Sequence, residues 1–332
     1  MGSFRRHVAE PTKTGVLGFS NISLIGIPTA GTPECESLKF INVDRTVASI
    51  ADNRDLMVGV KVRLGLRFIG NNGLDPLRLA VEAAAQLNLP VMVHVGNTPC
   101  SLAGIMDLLR PGDIITHTYH GHGHGILDDH RAVWPEVIEG QKRGIVMDVG
   151  HGAGSFAFDT AEKALEQDVL PGTISSDLHQ FNVHGPVFDL ATTLSKFLHL
   201  GLSLDQVIER ATTNPARTFG QMEGLGTLKE GAEADVAVFS LEEGDFEGFS
   251  KGEIEQEYHS PRVVEFRGDF KPELVQALAS LGEETSSDKT EVSISSLSRE
   301  ELAQLLEKSV ELDLTDTEQG EPSKSTGMLA DN

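Results

Sequence analysis

Short apolar runs recur along the first two thirds of the chain, and each ends in glycine, histidine or another polar residue. They are rich in Val and Ile, as strands buried on both faces are. They lie at Val16–Phe19, Val58–Val62, Val91–Val95, Asp113–Ile115, Ile145–Val149 and Thr173–Ser175. Apolar residues at helical spacing predict helices between them, at Asp75–Leu87, Leu102–Leu109, Thr160–Gln167 and Val187–Leu198. This alternation, at roughly 30 residues per unit, predicts a parallel sheet built from βαβ units.

A doubly wound sheet and a (β/α)8 barrel both fit this alternation, and the polar residues favour the barrel. His94, His117, His151 and Asp177 each lie at or just past the carboxyl end of a predicted strand, and Lys61 lies within one. Barrel enzymes carry their catalytic groups at that end. Six strands are predicted where the closed fold has eight, and the first begins close to the N-terminus. We therefore expect a (β/α)8-type barrel that lacks its first two βα units.

The composition divides the chain into three parts. Residues 1–220 form the predicted incomplete barrel, and the turn-rich residues 221–282 predict a remnant β-sandwich with a connecting segment. Residues 283–332 are rich in Ser, Thr and acidic side chains, which predicts an acidic, mostly disordered tail. Within the tail, Ser298–Leu312 has the capping box and the apolar spacing of a short amphipathic helix.

The charge and the apolar pattern exclude several classes of partner. The 332 residues include 50 acidic and 27 basic ones, a net charge of −23, which argues against binding nucleic acid or an anionic membrane through bulk electrostatics. No stretch approaches the roughly 20 apolar residues of a membrane span, and the N-terminus lacks the apolar region of a signal peptide. Two cysteines fit a reducing compartment. We expect a cytoplasmic protein with no nucleic-acid or membrane partner.

Four polar residues in apolar runs point to metal chemistry. Lys61, His94, His117 and Asp177 lie on four different predicted strands of a chain that has twelve histidines. A lone histidine in a strand is more often a satisfied core residue, but burying an unpaired lysine or aspartate is costly. A divalent ion held by converging imidazole and carboxylate ligands would offset these costs. The pattern therefore predicts a metal site at the carboxyl ends of the strands.

Eight longer motifs surround these residues, at 59–63, 92–96, 110–117, 148–156, 174–179, 189–196, 214–216 and 226–235. Together they resemble the amidohydrolase superfamily, and more narrowly its dihydroorotase-like branch of N-acyl and acetyl-ester deacetylases, from about Phe4 to Leu241. The resemblance implies a TIM-type metallohydrolase barrel. It also implies metal-dependent cleavage of an amide or ester bond, as in deacetylation of a small N-acyl or O-acyl substrate.

The resemblance implies a role for each of the four residues in a centre of two divalent ions, usually zinc. Lys61 corresponds to a lysine that is carbamylated by CO2 and bridges both ions. His94 and His117 correspond to ligands of the second ion. Asp177 corresponds to a ligand of the first ion that is also the catalytic residue, since it takes a proton from the attacking water and passes it to the leaving atom.

The sequence departs from the family at the first strand, where a His-x-His pair supplies two further ligands to the first ion. This spacing occurs here only at His120, His122 and His124, in a glycine-rich loop after a later strand. That loop is either a flexible surface loop or one that contributes to substrate or metal binding. The first ion would keep only Lys61 and Asp177, so we expect about one bound ion rather than two.

Three further residues are weaker candidates for substrate contacts. His151 is either a substrate ligand or a histidine of a turn. His179 either faces the substrate or orients Asp177. Arg63 binds either a substrate carboxylate or a partner in a surface ion pair.

Two alternatives to the deacetylase remain open. One is a cyclic amidohydrolase of the dihydroorotase or hydantoinase kind. The other is a non-catalytic scaffold that retains the fold without the His-x-His pair. For the enzyme the expected partner is a small acyl substrate, and the unpaired edge strands of an open barrel predict self-association into a homo-oligomer.

Overall fold

The structure, a computed structural model, describes residues 2–29, 31–220, 224–229, 231–232, 235–248 and 256–266. Over these residues the chain forms one parallel sheet of five strands and one antiparallel sheet of two. The strands are β1 Gly18–Asn21, β2 Met57–Arg63, β3 Val91–His94, β4 Ile114–Thr116, β5 Val146–Met147, β6 Val238–Gly248 and β7 Gln256–Phe266. The helices are α1 Gly2–Phe4, α2 Val43–Ala51, α3 Leu66–Ile69, α4 Asp75–Gln86, α5 Leu102–Leu108, α6 Pro135–Lys142, α7 Phe158–Leu165, α8 Leu190–His199, α9 Leu204–Ala211 and α10 Thr213–Phe219, with a π-helical turn at Arg5–Ala9 and a 3-10 turn at Leu38–Phe40.

The order of the parallel strands separates the two architectures that the sequence left open. The five strands lie side by side in chain order, β1-β2-β3-β4-β5, and every neighbouring pair is parallel. A doubly wound sheet reverses its strand order at a switch point, whereas a barrel places each strand beside the preceding one. The described strands contain no such reversal. The α/β fold and its parallel sheet are confirmed, and the strand order favours the barrel; the absence of two βα units stays a prediction.

The sheet is buried on both faces, as its Val-rich and Ile-rich strands predict. Val60, Val62, Val91 and Val93 have no exposed surface, and every residue of β2 except Lys61 is buried. This two-sided burial is typical of a parallel sheet covered by helices. Lys61 is therefore the one residue of β2 that is not fully buried.

The predicted strand at Thr173–Ser175 is only partly realised. One parallel bridge joins Thr173 to Asp148, just past β5. The backbone N–H groups of Val149 and His151 donate to the carbonyls of Thr173 and Ser175, both at 3.1 Å, and on the other side Ile174 donates to the carbonyl of Arg210, in helix α9, at 3.0 Å. The segment is thus extended and paired on both sides, with the end of a helix where a further strand would lie.

The four helices predicted from apolar spacing all form, and two of them, α5 and α8, begin at a capping side chain. Asn42, Ser101, Asp189 and Ser203 precede helices α2, α5, α8 and α9, and the side chain of each accepts a hydrogen bond from a backbone N–H of the first turn. Such caps satisfy donors that a helix leaves unpaired at its start. Because Asp189 is the cap, helix α8 begins at Leu190, three residues later than predicted.

Part of the C-terminal third lies outside the described residues. Strands β6 and β7 form an antiparallel pair in which Val238 faces Phe266 and Gly248 faces Gln256. A β-sandwich needs a second sheet packed on the first, so the remnant sandwich at 221–282 stays a prediction. The predicted tail at 283–332, with its helix at Ser298–Leu312, lies outside the described residues. Among the described helices, none combines the length and the apolar composition that crossing a bilayer requires.

Candidate functional site

The four predicted site residues lie together at the carboxyl edge of the parallel sheet. Lys61 is near the end of β2, His94 ends β3, His117 directly follows β4, and Asp177 follows the extended segment beside β5. The rings of His94 and His117 are 4.5 Å apart between centroids and nearly perpendicular, at 78°. Among the carboxylates near Lys61, that of Asp177 interacts most strongly with its amine. Three adjacent parallel strands thus bring Lys61, His94 and His117 to the edge at which Asp177 also lies; their role as a joint site stays a prediction.

The orientation of His117 is fixed by a backbone carbonyl. Its Nδ1 lies 2.6 Å from the carbonyl oxygen of Gly150. Burial lowers the pKa of His117 to about 3, so the ring is neutral, Nδ1 donates to Gly150, and Nε2 keeps its lone pair. Gly150 has φ of +47°, and a Cβ there would overlap Thr116 and His117. Only glycine allows the backbone to come this close, so the loop is adapted to present Nε2 of His117.

His94 is held from the side by an aromatic ring. The ring of Phe68 meets it edge to face at 5.6 Å between centroids. The guanidinium of Arg63 in turn lies 3.7 Å above the centre of the Phe68 ring. Burial, and then the neighbouring His117, hold the pKa of His94 well below its ordinary value. The site therefore contains two neutral imidazoles, which is the form that binds metal ions.

The amine of Lys61 is a weaker base than the amine of an ordinary lysine. Burial lowers its pKa to about 8, although the carboxylates of Asp177 and Asp148 oppose this shift. Its side chain is still partly open to solvent. At weakly alkaline pH a substantial fraction of the amine is therefore uncharged, and the uncharged amine is the nucleophilic form.

Asp177 is positioned by Asn182, a residue that the sequence analysis missed. The backbone of Asp177 has φ of +46°, in the left-handed region. Asn182 is completely buried; its Nδ2 donates to the carbonyl of Asp177 at 2.9 Å, and its Oδ1 accepts from the backbone N–H of His179 at 2.8 Å. Asn182 therefore fixes the turn that carries Asp177. An asparagine in a loop has no distinctive sequence pattern, so only the fold could reveal this role.

The carboxylate of Asp177 lies directly against a glycine. Gly152 has φ of +55°, and a Cβ at this position would be 2.8 Å from Oδ2 of Asp177. Although Asp177 is partly exposed, burial of its carboxylate raises the pKa, and the positive charge of Lys61 opposes that rise. The absence of a side chain at Gly152 thus leaves room for the carboxylate.

Asp148 is a second buried carboxylate that the sequence analysis did not single out. It accepts hydrogen bonds from the hydroxyls of Thr116 at 2.6 Å, Thr173 at 2.6 Å and Ser175 at 2.9 Å. Burial raises its pKa, while the three hydroxyls and Lys61 act in the opposite direction. Asp148 joins β4 to the extended segment and places a carboxylate near Lys61.

Arg63 is engaged by a carboxylate within the protein. Glu34 is completely buried and binds the guanidinium through both oxygens, at 2.5 Å from Nε and 2.7 Å from Nη2. Such two-point pairing is strong and directional. The structure therefore favours the ion-pair alternative for Arg63, although the pair is buried rather than at the surface.

His151 also contacts protein groups through both ring nitrogens. Its Nε2 lies 2.7 Å from Nζ of Lys196 and its Nδ1 lies 2.9 Å from the carbonyl of Gly152. Both residues are buried, and the His151 ring stacks on Phe156 at 4.7 Å between centroids. This geometry favours the turn alternative for His151 over a substrate contact.

His179 is exposed and lies beside Asp177. Its positive form would lower the pKa of Asp177, its backbone N–H binds Asn182, and its Nδ1 accepts from the backbone N–H of Phe181 at 3.1 Å. The backbone contact fits the hypothesis that His179 helps to orient Asp177. Its contact with substrate stays a prediction.

The donor set fits a zinc-like ion only if Lys61 is modified. Among the described residues, no group of three or more His, Cys, Asp or Glu side chains is spaced to hold a metal ion. Two neutral imidazoles are in place, with Nε2 of His117 oriented by Gly150. A carbamate on Lys61 would add the anionic oxygen that a tetrahedral site of nitrogen and oxygen ligands requires. With that modification, the residues present are suited to one ion.

Comparison with known proteins identifies the family of this chain. The family model described as "Amidohydrolase family" matches residues 27–277. A deacetylase of Brucella anthropi is 37% identical over 255 residues, and a deacetylase of Agrobacterium fabrum is 36% identical over the same length. The aligned region is 76% of this chain in both cases, but only 63% and 62% of the two relatives.

Two solved structures have a similar fold. A structure described as an adenine deaminase has a TM-score of 0.74 and 32% identity, and covers 77% of this chain and 70% of its own. A dihydroorotase structure has a TM-score of 0.71 and 32% identity, and covers 79% and 68% respectively. The family match spans most of the chain, and the relatives agree with it. The chain therefore belongs to the amidohydrolase family.

Proposed function

We propose that this chain is a metal-dependent hydrolase that removes the acyl group, in particular acetyl, from a small N-acyl or O-acyl compound. The observation that carries the proposal is the convergence of Lys61, His94, His117 and Asp177 at the carboxyl edge of the sheet. The deacetylase names of relatives in Brucella anthropi, Agrobacterium fabrum and Enterococcus faecalis support the same reaction.

His94, His117 and a carbamate on Lys61 would hold one divalent ion, with zinc as the preferred metal. When bound, such an ion lowers the pKa of a water molecule and polarises the carbonyl of the acyl group. His117 is already oriented for this role by Gly150, and His94 by Phe68. The protein thus fixes the two imidazoles before the ion arrives.

Asp177 would act as the general acid and base. Its carboxylate takes the proton of the attacking water as the new C–O bond forms. It then returns the proton to the nitrogen or oxygen that leaves as the acyl bond breaks. Asn182 holds the backbone of Asp177, and glycine at position 152 leaves room for the carboxylate. Burial raises the pKa of Asp177, which helps the carboxyl group to act in both directions.

A cyclic amidohydrolase is the second candidate, because the fold is also similar to a structure described as a dihydroorotase. Both reactions cleave an acyl–nitrogen bond and need the same groups. Deacetylation gives two product molecules, whereas a cyclic amidohydrolase gives one molecule whose ring is opened. The choice of substrate therefore decides between them.

The test is a substrate panel assayed with the purified chain in the presence of Zn²⁺ and bicarbonate. The panel contains N-acetyl amino acids, acetyl esters, dihydroorotate and a hydantoin, and the products are quantified by chromatography. We expect slow release of acetate that falls to background in Asp177→Asn. Ring opening without acetate release would favour the cyclic amidohydrolase. A chain that is inert toward the whole panel would contradict the proposed function and favour the scaffold.

A further inference from the structure

One histidine of the glycine-rich loop is buried beside the candidate metal ligands. His120 is 2% exposed, whereas His122 and His124 in the same loop are exposed. The backbone N–H of His120 donates to the carbonyl of His117 at 3.3 Å, so His120 lies next to that candidate ligand. His120 therefore belongs to the carboxyl edge of the sheet rather than to the loop surface.

The hydrogen bonds of His120 determine which nitrogen carries its proton. Nδ1 accepts a hydrogen bond from the backbone N–H of His122 at 3.1 Å. Because Nδ1 accepts a hydrogen bond, it holds no proton, and the ring is neutral. A neutral imidazole whose Nδ1 accepts must carry its proton on Nε2. His120 is thus an N–H donor at Nε2, and it has no lone pair there for a metal ion.

This donor is buried and has no hydrogen-bond partner among the described residues. Buried donors in native proteins are nearly always paired, because leaving one unpaired destabilises the fold. Three buried side-chain atoms lack a partner within the described part of the chain, and two of them are N–H donors of residues at the carboxyl edge, His120 and Asn21. Both unpaired donors therefore lie at the same edge of the sheet, and an acceptor bound there would pair with them.

We propose that His120 is a substrate-binding residue whose Nε2–H donates a hydrogen bond to an oxygen of the acyl substrate, either the acyl carbonyl or a carboxylate. The inference rests on the proposed hydrolase function and adds a specificity-determining contact to it. Nothing in the resemblance to known amidohydrolases assigns this residue.

The loop that follows His120 is exposed and rich in glycine. A Cβ at Gly123 would meet nothing within 4 Å, and a Cβ at Gly125 would lie 3.3 Å from Cε1 of His120. The His120 ring is therefore contacted by glycine backbone and by the exposed ring of His122, at 5.6 Å between centroids. Movement of this loop would open Nε2 to a substrate oxygen.

The test compares His120→Phe with His120→Gln in the panel assay. Phenylalanine keeps the ring but removes the donor, so KM should rise on the order of 10- to 100-fold while kcat changes little. Glutamine places an N–H donor near the position of Nε2 and should restore KM to within about threefold of the wild-type value. His124→Asn, in the same loop but exposed, is the matched control and should not change KM. Measuring an N-acetyl amino acid and its amide separates the two oxygens, since a carboxylate contact is absent in the amide.

Two measurements that do not depend on catalysis distinguish substrate binding by His120 from a structural role of this residue. The thermal midpoint of His120→Phe should stay level or rise, because the substitution removes an unmet donor, whereas a structural histidine would lower it. In nitrogen NMR spectra, His120 should be protonated at Nε2, and this signal should shift when N-acetylglycine is added. If the wild-type chain hydrolyses the panel and His120→Phe has the wild-type KM, the inference is wrong. If the chain is inert, the proposed function fails, and an unshifted Nε2 signal would overturn the inference separately.

Discussion

Replacing Lys61 by alanine is expected to lower kcat/KM for acyl hydrolysis by more than about 100-fold, because loss of a partner outside the ligand set already costs 10- to 100-fold at metal sites. The substitution removes the anionic oxygen that a carbamate would provide beside His94 and His117. A short carboxylic acid such as propionate should partly restore activity, since it can fill the space with a carboxylate. Arginine should not restore it, because a guanidinium offers no ligand oxygen.

Lys61→Met separates the loss of a ligand from the loss of the fold. Methionine fills a similar volume without a charge, and burial of the amine already opposes its charged form. The thermal midpoint of Lys61→Met should therefore equal or exceed that of the wild type, while activity is lost. Lys142→Ala, at an exposed ion pair, controls for removal of a lysine. Full activity of Lys61→Ala, or no recovery of activity with propionate, would contradict the proposed carbamate on Lys61.

Replacing Asp177 by asparagine is expected to lower kcat by about 10²- to 10⁴-fold, the usual contribution of a general acid and base. Asparagine keeps the shape of the side chain and leaves the bond from Asn182 to the backbone of Asp177 intact. The loss would therefore come from proton transfer rather than from misfolding.

The exposed Asp129→Asn is the matched control for this variant and should behave as the wild type. Circular dichroism and the thermal midpoint of Asp177→Asn should be unchanged. If Asp177→Asn retains more than a tenth of the wild-type kcat, another group moves the proton, and the role proposed for Asp177 is wrong.

The part of the site that sequence could predict is the part that lies on strands. Lys61 and His94 interrupt apolar runs that must be buried on both faces, and that conflict is visible in the sequence alone. Because parallel strands end at one edge, their convergence followed from the strand assignment. The same logic was weaker for Asp177, whose segment forms a single bridge rather than a strand.

The supporting residues could not be predicted, because their partners are distant in sequence. Glu34 pairs with Arg63 across 29 residues, and Lys196 reaches His151 across 45. Local apolar spacing contains no information on such pairs. Asn182 is closer, five residues from Asp177, but it acts through an irregular turn that has no periodic pattern.

Some helices were missed although their start was visible. Helix α9 begins with a capping box in which Ser203 and Gln206 bind each other's backbone, a pattern that predicts a helix start. Its eight residues carry only one fully buried side chain, Val207. An eight-residue helix is shorter than the roughly 11 to 18 residues over which helical periodicity is recognised, which explains the omission.

Metal content is the most direct test of the central claim, that this edge of the sheet is a metal centre. The purified chain is equilibrated with Zn²⁺ and bicarbonate, freed of loose metal, and analysed by inductively coupled plasma mass spectrometry beside His94→Ala, His117→Ala and the exposed control His130→Ala. We predict about one zinc per chain in the wild type and the control, and at least a severalfold loss in the two site variants, because each removes an imidazole ligand. Equal zinc in all four proteins would contradict the account.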